Sequence, residues 1–349
     1  MDTSKLVPHD PRVCELSAQV RGKTYTYLLG EPPQRTAPAA HTIFLLHGFP
    51  DHSFGWRYQV PYLMALGHRV VVPNLLGYGG TSRPDDLASF SMKNMSLDLK
   101  HLAAHIVGPD EQIIIGGHDW GGFFAWRVVL WQPELVKAVF SCTPFDAPCP
   151  PGREYISLQD KIAAGELHNF KYMLSFVGPE VEEAIQTKAQ LRCFINGVFR
   201  GPGPNGEQFF TIDRGFDLAN VESYTRQSPL VDEAEVEYYT EEYLKHPLPW
   251  LRGPLNWYRT RKMNFDDELV LADKFDKIKV PALFIAATHD APLPLSLSKD
   301  MDRHFQDLTR CTVETSHWSL WEAHEDVNLH IGRWLKKVVG CDGDIQSHL

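Results

Sequence analysis

The chain has no basic excess. Its 349 residues carry 34 Lys+Arg against 44 Asp+Glu, a formal net charge of −10. Nucleic-acid binders work through a cationic face, so no nucleic-acid partner is expected, and the same sign disfavours an anionic membrane surface. No apolar run approaches the ~20 residues of a membrane-spanning helix, so no membrane insertion is expected. The opening Met1-Asp2-Thr3-Ser4-Lys5 is polar and lacks an apolar core region, so no secretory signal is expected. The six cysteines, Cys14, Cys142, Cys149, Cys193, Cys311 and Cys341, form no C-x-x-C pair. They read as reduced, mostly buried thiols rather than a disulfide frame or a zinc site. His324 and His330 stand six apart and match no H-E-x-x-H pattern. No metal is therefore expected. There is no internal repeat and no long low-complexity run.

What is present is a core. Hydrophobic residues make up 43% and charged ones 22% of the chain, the composition of a globular protein large enough to fold without staples. Val13–Val20 and Thr24–Leu29 read as an antiparallel pair around Gly22. Thr42–Leu46, Arg69–Val72, Gln112–Ile115, Ala138–Cys142 and Ala282–Ala287 are short and apolar on both faces, as in a parallel sheet covered by helices. Cys311–Thr315 reads as the last strand. Helical patterns at Ser91–Ile106, Gly122–Gln132 and Val327–Val338 lie between and after the strands, so the fold class is α/β.

The alternation breaks between about Asp146 and Phe265, behind a Pro-rich approach at Pro148, Pro150 and Pro151. That stretch reads as a helical insertion over the C-terminal edge of the sheet, where open α/β sheets bind ligands. The expected organisation is a core from 1–145 and 266–349 with a cap over 146–265; a second independent domain is the alternative.

Ile113–Gly122 (IIIGGHDWGG) decides the chemistry. A buried strand runs into small-x-Asp-x-small and then into a helix, the geometry of the nucleophile elbow of α/β-hydrolases. Asp119 stands where Ser is usual, and no G-x-S-x-G occurs elsewhere. A carboxylate suits displacement at an sp³ carbon bearing a leaving group and gives an alkyl-enzyme ester that water must then split. Asp119 alone would equally serve as a helix N-cap; the flanking glycines and the partners that follow favour the nucleophile.

The acid and base should follow in chain order. The strand ALFIAA ends in Thr288-His289-Asp290, and Thr315-Ser316-His317-Trp318 follows the last strand. His317 is the expected base toward water, and Asp290 the group that orients and stabilises its imidazolium. Asp146 is the rival acid. The backbone N–H groups of Phe49, in His47-Gly48-Phe49-Pro50, and of Trp120 are the expected oxyanion hole for the second step.

Four segments now combine: His47–Gln59 (HGFPDHSFGWRYQ), Gly77-Tyr78-Gly79, Gly117–Gly122 (GHDWGG) and Arg252–Arg259 (RGPLNWYR). Together they make the chain resemble the soluble epoxide hydrolases of the α/β-hydrolase fold, over about Thr42 to Trp334. The resemblance implies a mostly parallel eight-stranded sheet with a helical cap. It implies hydrolysis of an epoxide with water to a vicinal diol, a hydrolase acting on ether bonds without cofactor. It also implies two cap tyrosines that activate the epoxide oxygen. Tyr258, in RGPLNWYR, matches the second. Tyr172, in YMLSFVGP, matches the first but departs from the family pattern after Phe176, and Tyr155 is its competitor. Neutral phenols stay protonated at pH 7 and can donate to the opening oxygen. His47, Trp120 and Trp318 are expected to line the substrate pocket.

The resemblance is to the single-unit form found in plants and microbes, without the phosphatase domain of the mammalian two-domain enzymes. A haloalkane dehalogenase, in which the residue after the nucleophile helps hold halide, and a non-catalytic receptor on the same fold are the alternatives. Detoxification is the physiological role such an enzyme suggests. A cytoplasmic location is expected, with the peroxisome as the alternative raised by Ser347-His348-Leu349, which is close to Ser-Lys-Leu.

Overall fold

The computed structural model describes residues 2–32, 41–150, 152–272 and 274–340. Cys341 and the terminal Ser347-His348-Leu349 lie outside the described residues. Ten strands and twelve α-helices are described, joined by short 3₁₀ turns. Strands β1 (Cys14–Val20) and β2 (Lys23–Gly30) form a hairpin, and β3 (Thr42–Leu46) leads through α1 (Gln59–Ala65) to β4 (Arg69–Pro73). Next come α2 (Met92–Val107), β5 (Ile113–Gly117), α3 (Trp120–Trp131) and β6 (Val136–Ser141). The sheet resumes only at β9 (Ala282–Ala287) and β10 (Leu308–Val313), and the chain continues through α11 (Ser319–Glu322) and α12 (His324–Val339).

These strands make one eight-stranded sheet in the order β1-β2-β4-β3-β5-β6-β9-β10. Only β2 is antiparallel to its neighbours, and the other pairs are parallel. This is the expected α/β architecture. The central strands are apolar on both faces because helices cover both: Ile43, Phe44, Ile114, Ile115, Val139 and Ile285 are fully buried. β10 begins at Leu308 rather than Cys311 and ends at Val313. As an edge strand it exposes Arg310 and Thr312 and buries only Val313, so it lacks the two-faced apolar signature of the central strands. The β1–β2 hairpin is pinned to α2 by buried Asp98, which accepts from Arg21 (2.7 Å), Lys23 (2.9 Å) and Tyr25 (2.9 Å).

Between β6 and β9 the chain forms α4 (Leu158–Ala163), α5 (Met173–Val177), α6 (Glu180–Ala184), α7 (Lys188–Val198), α8 (Glu233–Leu244), α9 (Arg252–Arg259) and α10 (Arg261–Ala272). Two of these begin with capping boxes, Thr187/Gln190 and Asp232/Glu235, which satisfy the free N–H groups of a first helical turn. A small hairpin, β7 (Phe210–Thr211) with β8 (Gly215–Phe216), interrupts the helices. Two residues per strand are too few for any periodicity to reveal. The expected border at residue 265 falls inside α10, whose Asn264 accepts from Met92 N at the start of α2 (2.9 Å). The helix is thus tied to the sheet layer before the sheet itself resumes. No described helix is long and apolar enough to cross a membrane.

Phe44 lies in β3 between β4 and β5 and is fully buried. Phe44→Ala is expected to cost roughly 3–5 kcal/mol, transfer and cavity terms together. A urea midpoint shifted with an unchanged m-value is the corresponding observation.

Candidate active site

β5 ends at Gly117, and α3 begins at Trp120, so the chain turns within two residues. Asp119 sits at the apex with φ +53° and ψ −127°, a conformation that a non-glycine residue holds only at a cost of about 1–3 kcal/mol. Its carbonyl compensates by accepting from Phe123 N (3.0 Å) and from Thr143 Oγ1 (2.9 Å). The turn also needs small neighbours. A Cβ on Gly121 would lie 2.1 Å from the Leu46 carbonyl oxygen, and one on Gly48 would lie 2.2 Å from Asp119 Oδ1.

The loop after β3 brings Phe49 N–H to Asp119 Oδ1 at 2.7 Å. His47 holds that same peptide from its other side. Its Nε2 accepts from Leu75 N (2.9 Å), which leaves Nδ1 to donate to the Gly48 carbonyl (3.0 Å). Burial drives its pKa down to about 4, so it is neutral. His47 is fully buried behind the loop and does not line the cavity, which corrects the pocket assignment: with both ring nitrogens occupied, it is a brace. Of the two expected backbone donors, Phe49 reaches the carboxylate. Trp120 N–H is the first amide of α3, one of the helical donors without an intrahelical acceptor.

The loops after β9 and β10 meet the elbow from the opposite side. His317 Nδ1 donates to Asp290 Oδ2 (2.8 Å), and its Nε2 lies 3.5 Å from Asp119 Oδ2. Asp290 is fixed by Leu293 N on Oδ1 (2.9 Å), and the two loops are tied by His289 N to the Thr315 carbonyl (2.9 Å). Asp146 takes no part at His317; its backbone carbonyl accepts from Arg127 Nη1 (2.6 Å). His118, inside the GHDWGG motif, braces the base: its Nε2–H donates to the His317 carbonyl at 2.7 Å. Burial and the neighbouring His317 charge lower its pKa to about 4.

The charges follow from this packing. Burial works against an imidazolium at His317, but the Asp290 charge and the bonds to Asp119 and Asp290 outweigh it and raise its pKa to about 10. Burial likewise works against the Asp119 carboxylate, yet the hydrogen bond and charge of His317, with help from Phe49 N–H, hold its pKa below the ordinary value. The resting site is two carboxylates around one imidazolium.

A cavity of about 470 Å³ opens above them. Asp119, His317 and Trp318 form its floor with Phe49, and Tyr172, Phe176, Phe209, Phe210, Phe216 and Tyr258 form its walls. Tyr258 projects from α9, its ring against Trp120 (4.9 Å), Phe49 (5.5 Å) and Phe176 (4.8 Å). Tyr172 immediately precedes α5 and packs on Phe210 (5.0 Å). Burial, followed by the Asp119 charge, holds both phenols well above the usual tyrosine pKa; both stay protonated. Tyr155 lies elsewhere, against Phe265 (5.5 Å). The half-buried Trp120 ring packs edge to face on Tyr258 and against Phe123 and Trp257. Among the described residues, no group of three or more His, Cys, Asp or Glu could hold a metal ion.

The sequence reading did not single out His118, the aromatic wall at 209–216, or two tyrosines of α8 that contact the Phe49 loop. His118 and Asp51 stood inside quoted motifs, but their neighbours carried the argument there. The α8 tyrosines stand at i and i+4 in a helix, a spacing that reads as ordinary core.

A parallel sheet with a strand-turn-helix carboxylate, followed in chain order by an acid and a histidine, defines an α/β-hydrolase with Asp at the nucleophile position. A family profile described as alpha/beta hydrolase fold matches residues 41–324, and the chain belongs to that family, in its epoxide hydrolase branch. It is 39% identical to epoxide hydrolase srdG of Neurospora crassa over 97% of this chain and 99% of that protein. It is 32% identical to bifunctional epoxide hydrolase 2 of Rattus norvegicus over 84% of this chain, which spans only 51% of that longer protein. Among solved structures, a Vigna radiata epoxide hydrolase mutant superposes with a TM-score of 0.73 at 25% identity, covering 93% of this chain and 99% of that one. Epoxide hydrolase A of Mycobacterium thermoresistibile shares the fold at a TM-score of 0.74 and 24% identity, covering 93% and 98%.

A histidine whose pKa is raised on folding, from ~6.5 to about 10, adds stability that is complete below the lower value and lost as pH rises through the upper one. The stability advantage of the wild type over His317→Gln is therefore expected to be largest below pH ~6.5 and to shrink toward pH 10. Thermal unfolding of both proteins across that range measures it; a constant gap would contradict the charge assignment.

Proposed function

We propose that this protein hydrates epoxides to vicinal diols through a covalent ester on Asp119. The observation that carries the reading is the Asp119–His317–Asp290 chain, at 3.5 and 2.8 Å, on the floor of a cavity that Tyr172 and Tyr258 also line. The names of the relatives support the same reaction class.

In the first step a carboxylate oxygen of Asp119 attacks one epoxide carbon, and the carbon–oxygen bond of the ring breaks. The electron pair stays on the ring oxygen, which takes a proton supplied by the tyrosine hydroxyls. Two phenols on the cap also orient the ring so that one carbon faces Asp119 in line. Trp318 and the aromatic walls give the apolar remainder of the substrate a surface.

The second step needs a base, and a histidine of pKa near 10 is a poor one. Ester formation removes the negative charge of Asp119, which is one of the contributions that raise His317. The imidazolium then loses its proton more easily, and that proton passes by way of solvent to the phenolate left by the first step; the neutral ring takes a proton from water while Asp290 holds its other nitrogen. Water adds to the ester carbonyl, whose oxygen gathers charge where Phe49 N–H points and where Trp120 N–H stands free at the helix start. Collapse expels the alkoxide, which takes the remaining proton of the added hydroxide by way of His317 and leaves as the diol, restoring the carboxylate beside the imidazolium. No step calls for a cofactor. In this reading residues 146–265 act as the lid, and 1–145 with 266–349 as the core.

A dehalogenase reading would draw on the Trp120 indole as a halide donor. Two phenols lining the cavity over Asp119 favour opening of an epoxide over release of a halide.

Purified protein is expected to convert racemic styrene oxide to diol above the buffer rate. His317→Gln is expected to stall after alkylation, with a mass increase on the peptide bearing Asp119, and Asp119→Asn to show neither product nor adduct. Tyr258→Phe is expected to lose activity roughly 10²-fold. An adduct on any other residue would overturn the nucleophile assignment.

A further inference from the structure

The oxyanion loop, His47 to Asp51, is gripped from two sides, and one of them is the lid. From the core side, His47 holds the Gly48–Phe49 peptide through the Gly48 carbonyl. From the lid side come two hydroxyls of α8. Tyr243 Oη donates to the Pro50 carbonyl at 2.8 Å, and Tyr239 Oη donates to Asp51 Oδ1 at 2.7 Å. Asp51 Oδ1 also accepts from His52 N (2.8 Å), while its Oδ2 has no partner. All three side chains are buried: Asp51 1%, Tyr239 0% and Tyr243 3% exposed.

The contacts form one row. Glu235, Tyr239 and Tyr243 stand at i, i+4 and i+8, the spacing of a single helical ridge. Glu235 Oε1 lies 3.0 Å from Arg57 Nε and 2.9 Å from Lys5 Nζ. The ridge thus meets Arg57, Asp51 and Pro50 in turn, and the last two directly follow the residue whose N–H points at Asp119. A helix that needed only an apolar seat would not place three polar groups, all nearly free of solvent, along one line of the loop that carries a catalytic donor. Each such group costs desolvation unless its partner is well placed.

We propose that Tyr239 and Tyr243 of the lid helix α8 are positioning residues that set the Phe49 N–H for hydrolysis of the Asp119 ester. The proposal rests on the mechanism given above and adds to it a link between lid and core. The donor matters unequally in the two steps. In the first, Phe49 N–H binds the resting carboxylate and stabilises the ground state, so a displaced donor does not slow attack. In the second, it faces oxygen that becomes more negative as water adds, so displacement raises the barrier. Loss of the clamp is therefore selective for the second step.

The test measures both steps with racemic styrene oxide as the probe: rapid-quench mass spectrometry of the Asp119 peptide for adduct formation, and steady-state diol production for turnover. Tyr243→Phe is expected to lower kcat roughly ten-fold, since small displacements of a positioned group carry such penalties, with alkylation undiminished and a larger steady-state fraction of enzyme held as ester. Tyr239→Phe is expected to act in the same direction, and the double variant more strongly. Tyr238→Phe, on the same helix but outside the row, is expected to match wild type. Partial unfolding would reduce adduct and turnover together and would not enrich the ester. Equal slowing of both steps, or an unchanged kcat in the double variant, would overturn the clamp. A wild type that yields neither diol nor adduct would instead overturn the hydrolase reading on which the clamp rests.

Discussion

The site depends on keeping a carboxylate ionised at a buried and strained turn. Asp119 sits at φ +53° because the sheet must hand the chain to α3 within two residues, and only that geometry lifts its side chain clear of both elements. A buried carboxylate in such a place would protonate unless something offset its lost hydration. The compensation is specific. One amide, one imidazolium and the small residues that let them approach are supplied by three loops at the same edge of the sheet. The parallel sheet accounts for this convergence, because every parallel strand delivers its C-terminal loop to that edge.

The same arrangement sets the order of chemical events. With two carboxylates around it, His317 cannot act as a base in the resting state, because its proton is held too firmly. In the proposed mechanism, neutralising one carboxylate releases that hold, so the group that would activate water becomes competent as the ester forms. The fixed hydrogen bond between Asp290 and Nδ1 preserves the ring orientation while the protonation of Nε2 changes. His118 and His47 enter as neutral braces. Burial strips both of charge, so neither adds a competing cation to a site whose balance is two negatives and one positive.

Much of this was legible in the sequence, and the limits have physical causes. The central strands were readable because burial on both faces leaves an unbroken apolar run, Asp290 because it falls just after such a run, and His317 because it follows Asp119 and Asp290 in chain order. The β10 boundary moved because an edge strand keeps one flank in water. His47 was expected in the pocket because it adjoins a site group in the chain, but neighbours on a turn point in different directions, and His47 goes under the loop. The β7–β8 hairpin and the aromatic wall around it carry no periodicity, and their place over Asp119 is purely tertiary. The buried pairing of Arg57 with Glu235 spans more than half the chain, a contact no local pattern encodes.

The lid therefore does more than cover the cavity. Tyr172 and Tyr258 face the substrate from above, while Tyr239 and Tyr243 reach past it to the loop below. Helix α8 is fixed at its start by a capping box and along one ridge by Glu235, so its hydroxyls are held by secondary structure rather than by flexible contact. On the proposed mechanism the Phe49 amide must bind a full carboxylate in one state and a growing oxyanion in the next, from nearly the same position. A donor free to follow the carboxylate would favour the ground state of the first step and blunt the second. A donor held from both sides, by His47 beneath and by α8 above, cannot relax toward the resting charge, and that rigidity is what lets one amide serve both states.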